Sequence, residues 1–305
     1  MSQSQPFIRR HAQSGLTLIE LMVAMVVGLA VIGAGLAMYT TSGMANRNSS
    51  ALSQISEDAS LALGLMRNHI AMAGYSRMVV DPTTSLIGTA YKGLPLFGCR
   101  YGVDSSAGSS YLISATGAQN PLTCATSPTT ASDALIVLYE AEPNNTWSAS
   151  GTSPTDCLNQ KAPLVPASTA APITSAYYIA ENRFFINGSS LSCLGNGNAT
   201  PQPLVDNVTQ MRVWYGVAAP QNADGTRNTV AQQYLRADQV GDLTTGKWNQ
   251  VVSVRLCLVV SSKDNVLDAV TPYVDCDGNS STPADRHLYR AFTTTVVLNN
   301  RIYQN

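Results

Sequence analysis

"RRHAQSGLTLIELMVAMVVGLAVIGAGLAMY", residues 9–39, places a single carboxylate, Glu20, close to the start of a long apolar run. A charged side chain at the centre of a bilayer costs roughly 2.5–3.5 kcal/mol on insertion scales. The carboxylate therefore needs a reason to be there. From Leu16 to Tyr39 the run would extend about 36 Å as a helix. The hydrocarbon core is about 30 Å thick, so the run is long enough to span it. Arg9, Arg10 and His11 precede the run, and no Asp or Glu occurs before Glu20. This flank predicts a single pass, with the basic end cytoplasmic and the rest of the chain on the far side.

An ordinary secretory signal has its small-residue cleavage site after the apolar region. Here the small pair, Ser14-Gly15, comes before it. A cut after Gly15 would remove the basic leader and keep the helix. Leu16 would then carry the new terminal amine, with Glu20 as the fifth residue of the mature chain.

"SGLTLIELMVAMVV" resembles the class III signal of type IV prepilins and type II secretion pseudopilins. The match lies at Gly15, Thr17, Leu18, Ile19 and Glu20; Leu16 stands where Phe is usual. The resemblance implies cleavage by a prepilin peptidase between Gly15 and Leu16, then methylation of the Leu16 amine. It also implies that Glu20 pairs with the terminal amine of a neighbouring subunit. A buried carboxylate beside an ammonium group is far less costly than a lone one, so Glu20 becomes a registration device. The plain alternative is a membrane anchor whose Glu snorkels to the interface. Gly28, Gly33 and Gly35 lie among alanines in this run and would let helices approach closely in lipid. No proline occurs between Leu16 and Arg77.

Helical periodicity continues beyond the run. Leu52, Ile55, Ala59, Ala62, Met66, Ile70 and Ala73 recur at steps of three and four, which defines one apolar face. Gly74 is the expected stop. Residues 40–50, "TTSGMANRNSS", are the weakest part of this helix and a place for a bend.

After Asp81-Pro82 the pattern changes to short strands and long loops. "ALIVLYE" (134–140) reads as a buried strand, and "AYYIAENRFFIN" (176–187) as a hairpin turning at Glu181-Asn182. "VTQMRVWYGV" (208–217) alternates, with Met211, Val213 and Tyr215 on one face. "VVSVRLCLVV" (251–260) places Val252, Val254, Leu256 and Leu258 on one face, with Ser253, Arg255 and Cys257 opposite. "YRAFTTTVVLNN" (289–300) is a last strand. Such alternation argues for antiparallel sheet with one wet face. The Ser/Thr/Pro/Ala stretch 148–175 reads as a long loop.

"IAMAGY" at the helix end resembles PilW-type minor pilins. So do "LVDNVTQMRVWYGV", "WNQVVSVRLCLVV" and "YRAFTTTVVLNNRI", in that order. Residues 80–205 carry no recognisable resemblance. The fold class expected is α+β: a long N-terminal helix, half of it transmembrane, packed on an antiparallel β-rich domain of one or two sheets. The boundaries expected are a leader at 1–15, a membrane half-helix at 16–39, an amphipathic half-helix at 40–74 and a periplasmic domain at 75–305.

The chain has 305 residues, a net charge of −1 and only 12% charged residues, which argues against a nucleic-acid binder. Its six cysteines, Cys99, Cys124, Cys157, Cys193, Cys257 and Cys276, form no C-x-x-C pair. On the far side of a membrane they predict disulfides. Nearness favours Cys99–Cys124, Cys157–Cys193 and Cys257–Cys276, each stabilising by about 3 kcal/mol. Asp275, Asp277, Asn279 and Asp285 share one loop and are a weak calcium candidate; a solvated turn is the plainer reading. No catalytic or phosphate-binding signature occurs, and no cofactor is called for.

The resemblance implies a minor pilin that primes type IV pilus assembly and sits at or near the tip. Its partners would be other minor pilins, the major pilin, prepilin peptidase, the inner-membrane assembly platform and a tip adhesin. Two other readings stay open. One is a large J-like pseudopilin of type II secretion. The other is a tip adhesin or ligand-binding module that uses the unmatched middle of the chain.

Overall fold

The structure is a computed structural model and describes residues 15, 17–80, 85, 87–104, 111–114, 116–126, 132–146, 153–167, 175–198 and 200–300. Of Thr40 and Thr41 only the backbone is described. The leader residues 1–14, Leu16 and the Asp81-Pro82 step fall outside these. The chain forms two compact units, Met1–Ser50 and Ala51–Asn305.

One helix, α1 (Leu18–Met72), opens the chain. It is helical through residues 40–50, where the sequence suggested a bend. Among the described residues fourteen strands follow. They are β1 (Met78–Val80), β2 (Ile87–Thr89), β3 (Leu96–Cys99), β4 (Ala134–Ala141), β5 (Leu164–Val165), β6 (Tyr177–Asn187) and β7 (Ser190–Gly195). Then come β8 (Gln202–Asp206), β9 (Val208–Ala218), β10 (Ala231–Leu235), β11 (Val251–Ser261), β12 (Tyr273–Val274), β13 (Ser280–Ser281) and β14 (Tyr289–Val297). A short helix α2 (Ala237–Val240) and a 3-10 turn (Trp248–Gln250) lie between β10 and β11.

The strands build two main antiparallel sheets. The first runs β3-β4-β6-β7-β8, with β5 on the side of β6. The second runs β10-β9-β11-β14. β1-β2 and β12-β13 are small ribbons. Ile55, Ala59, Ala62, Met66 and Ile70 of α1, with Ala73 just after it, are fully buried and share one core with both sheets. That is the apolar face the periodicity defined; Leu52 at its start is only half-buried. Gly74 ends the helix at φ +72°, a left-handed conformation that favours glycine. Its N–H donates to the Leu138 carbonyl of β4 at 2.8 Å.

The structure corrects two strand readings. Residues 177–187 are one continuous strand, and the chain turns at Gly188-Ser189. Gly188 adopts φ +63°, which glycine takes without steric cost. Glu181 and Asn182 are instead wholly buried in the middle of β6. Glu181 pairs with Arg183, and Asn182 bonds the Cys157 N–H and the Tyr139 hydroxyl. Second, β11 does not have a wet face. Along its length only Arg255 is exposed, because Ser253, Cys257 and Val259 are covered as well.

His69, on the buried side of α1, lies within hydrogen-bond distance of the Tyr139 hydroxyl (3.0 Å) and the Asn182 amide (3.3 Å). Burial lowers its pKa from 6.5 to about 4. Between those values the unfolded chain binds a proton that the folded chain does not. The contribution is complete above the unfolded value of 6.5 and is lost as pH falls toward the folded value of about 4. The loss amounts to about 3 kcal/mol. Burial raises the pKa values of Glu140, Glu181 and Asp133, whose contributions change in the opposite sense over part of this range. A His69→Gln variant retains those carboxylates. Urea unfolding at pH 7 and pH 5 should therefore show the wild type losing more stability on acidification than the variant.

Candidate functional site

The first described turn holds the sequence-predicted residues together. The Thr17 N–H donates to Glu20 Oε2 at 3.0 Å, and the Thr17 hydroxyl lies 3.0 Å from the same oxygen. The Glu20 N–H returns a longer bond to Thr17 Oγ1 at 3.4 Å. Leu21 N–H closes the first helical bond on the Thr17 carbonyl at 3.2 Å. This is a reciprocal capping box, in which Thr and a Glu three residues later satisfy each other's backbone donors. The residues that matched a prepilin signal thus also form a helix start. The T-x-x-E spacing of Thr17 and Glu20 is the sequence signal of this cap.

From this turn to Tyr39 the helix offers its apolar side chains outward. Leu18, Ile19, Val26, Leu29, Val31, Ile32, Leu36 and Tyr39 are all exposed. The apolar part of α1 is long enough to cross a membrane, and none of that window is buried. Gly28, Gly33 and Gly35 have open space beside them in the structure. Gly15 is exposed; Leu16, the expected cleavage and methylation residue, lies outside the described residues.

In the domain, the cysteines pair as Cys99–Cys124, Cys157–Cys193 and Cys257–Cys276. The last ties β11 to the loop proposed as a calcium candidate. Among the described residues no group of three or more His, Cys, Asp or Glu could hold a metal there. Each oxygen set has other work. Asp275 accepts the N–H groups of Asp277 and Asn279. Asp285 accepts from the His287 N–H and the Tyr289 hydroxyl. Asp277 bonds Arg212 Nε at 2.8 Å and an Arg236 guanidinium nitrogen at 2.9 Å. Burial would raise its pKa, but the two guanidinium groups more than offset this and hold it low.

Those arginines also reach Asp133, at 3.5 Å from Arg212 and 3.1 Å from Arg236. The four side chains close a ring. Asp133 precedes β4, Arg212 lies on β9, Arg236 precedes α2, and Asp277 is held by its neighbour's disulfide to β11. Burial drives the Asp133 carboxyl up to about 6 against the pull of Arg236 and Arg212. A second joint is aromatic. Trp248 packs against Phe97 of β3 and Tyr215 of β9, with ring centroids at 4.8 and 4.9 Å. A groove of about 520 Å³ opens beside this joint, where Arg100 and Asp238 pair with each other.

The arrangement therefore offers an apolar helix with a capped carboxylate at its start, on a domain stapled by disulfides. Residues 10–36 match the prokaryotic N-terminal methylation motif, which makes the chain prepilin-like. Residues 176–300 match the type IV pilus-assembly protein W model. Together the two matches make the chain similar to type IV pilus minor pilins of the PilW family. No curated protein matches the sequence. Among solved structures, the type IV-like pilin TTHA1219 from Thermus thermophilus superposes with a TM-score of 0.39 at 11% identity. The superposition covers 81% of this chain and 97% of that one.

Proposed function

We propose that this chain primes type IV pilus assembly and sits at or near the fibre tip, beside other minor pilins. The observation that carries the reading is the capped Glu20 at the head of an exposed apolar helix, within a methylation motif. A prepilin peptidase cuts between Gly15 and Leu16, and the Leu16 amine is methylated. Residues 16–39 cross the inner membrane, 40–74 complete the helix, and 75–305 form the periplasmic domain. The chain then passes from the inner-membrane assembly platform into the fibre. Its mechanism is association: the helix packs among neighbouring helices, and the domain selects which minor pilins it meets.

In this scheme Glu20 exchanges part of its cap for the ammonium group of a neighbouring subunit. Glu20→Gln keeps a side chain that can accept the Thr17 N–H but removes the charge. The expected result is a normally folded, membrane-inserted chain whose recovery in sheared pili falls by about tenfold or more, the equivalent of losing about 1.4 kcal/mol of pairing. Unchanged recovery would rule out registration by charge.

The processing itself is tested by mass spectrometry of sheared pili and membranes from the native host. A peptide beginning at Leu16, at trace ratio to the major subunit in pili, supports the whole reading. A processed form confined to membranes, copurifying with secretion subunits, would move the protein to type II secretion. An uncut leader in both fractions would overturn the prepilin reading.

A further inference from the structure

The two main sheets end in four edge strands: β3 and β8 in one, β10 and β14 in the other. An open edge is a row of unpaired backbone groups, and soluble domains normally blunt it with shortness, proline, charge, bulges or cover. Three of these edges follow that rule. β3 has four residues, all buried. β8 contains Pro203, and its pairing with β7 shifts register between Leu191 and Ser192. β10 has five residues and shifts register on β9 between Ala231 and Gln233.

Beyond Arg290, β14 carries none of these devices. It pairs with β11 over nine consecutive residues without a shift. From Ala291 to Leu298 it contains no charged residue and no proline, and Thr293-Thr294-Thr295-Val296-Val297 is an unbroken β-branched run. Such a run favours the pleated conformation. β12 approaches its first residue, where Tyr273 stacks on Tyr289 with centroids at 4.8 Å. Beyond that point, among the described residues, no strand pairs with its outer edge.

The direction of its backbone groups follows from one bond. The Leu298 N–H donates to the Val252 carbonyl at 2.9 Å. In an antiparallel ladder, alternate residues face the partner strand. The even-numbered residues of β14 therefore bond β11, and Ala291, Thr293, Thr295 and Val297 direct N–H and C=O outward. Their side chains are exposed too.

We infer that the outer edge of β14 is a strand-pairing site, filled in the assembly by a β-strand of another pilin subunit. The inference rests on the pilin reading above. Two features select this occupant. The edge ends beside α1, where the Asn300 side chain donates to the Ala71 carbonyl in the last turn. A subunit that contacts this last turn thus meets the edge as well. The pairing body is uncharged, and Arg290 stands exposed at one end. The strand it fits is uncharged along its length, with a carboxylate opposite Arg290. Main-chain bonds would supply affinity, and the side chains register.

Proline at an outward N–H removes a donor the partner needs but no bond of its own sheet. Thr295→Pro in the full chain should fold with wild-type Tm and disulfides. Its recovery with other pilins, from membranes and sheared pili of the native host, should fall by about tenfold or more. Thr295→Lys, which keeps the N–H but adds an edge charge, should act alike. Hydrogen exchange supplies an independent reading. In the purified chain the amides of Ala291, Thr293, Thr295 and Val297 should exchange quickly while those of Phe292, Thr294 and Val296 are protected. In the assembled chain both sets should be protected. If wild type assembles with pilins and both variants do so equally, the edge site is wrong and the pilin reading stands. If wild type recovers no pilins, that reading fails and takes the occupant with it. Protection that grows with concentration in the purified chain would make the occupant a second copy and overturn the assignment.

Discussion

Replacing Asp133 with Ala should destabilise the domain by about 3–5 kcal/mol, the range for removing one partner from a buried charge pair. Oδ1 faces Arg212 and Arg236, and Oδ2 accepts the buried Val213 N–H at 2.8 Å. Its own N–H donates to the Met211 carbonyl at 3.0 Å, and the adjacent Ser132 hydroxyl accepts the Met211 N–H at 3.1 Å. This short stretch bonds the second sheet where β4 of the first begins. Truncation would strand a backbone donor and leave Asp277 alone to balance two guanidinium groups. Asp133→Asn keeps an acceptor for Val213 and should lose less than Ala. Urea unfolding followed by tryptophan fluorescence separates the two. Equal, small losses in both variants would show that the ring is ornamental to stability.

Gly98→Ala should cost about 3 kcal/mol, at the upper end for overpacking a core. A Cβ at Gly98 would lie 1.8 Å from the Tyr215 hydroxyl and 2.5 Å from its Cζ. The ring cannot move aside, because Tyr215 is fully buried and packs edge-on against Trp248. The clash would separate β3 from β9 and loosen the joint between the sheets. Tyr215→Phe is the companion variant. Its hydroxyl is buried without a hydrogen-bond partner among the described residues. Removing it should leave stability within about 1 kcal/mol of wild type. In the Gly98→Ala background it should restore part of the loss. A Gly98→Ala protein as stable as wild type would mean that the sheets are not locked at this contact.

The helix was legible because its signals are local. Apolar residues at three- and four-residue steps report a buried face without reference to any partner, and that face is the one the sheets cover. The Gly74 stop is equally local, since the left-handed conformation it adopts is a property of the residue. The Gly188 turn was legible as well, in the Asn187-Gly188 pair that commonly makes hairpins. The expected turn at Glu181-Asn182 lacks that glycine, and the structure places it instead in the middle of β6. Those two residues are tolerated there because Arg183, Cys157 and Tyr139, from three different places in the chain, satisfy them.

The acidic loop at 275–285 illustrates the opposite limit. Clustered carboxylates suggest a cation, and one of them, Asp277, faces the guanidinium groups of residues 212 and 236. No spacing in the sequence connects Asp277 with Asp133. Similarly, alternation in β11 promises a wet face, and residues distant in sequence meet it: Cys276 is bonded to Cys257, and the Tyr234 hydroxyl of β10 lies 3.2 Å from that of Ser253. The open edge of β14 could not be read at all, because a strand becomes an edge only through the order in which others pair.

By itself, the sequence determined the membrane-length helix, the Thr17–Glu20 start with its matching signal, the amphipathic face and the strand-rich domain. Each depends on residues close together in the chain, where periodicity, caps and charge act without tertiary help. Only the tertiary structure decided which strands pair, how Asp133 and Trp248 join two sheets, which carboxylates are consumed, and which edge stays open. Those outcomes depend on groups far apart in sequence, whose burial and hydrogen-bond partners exist only once the sheets have formed.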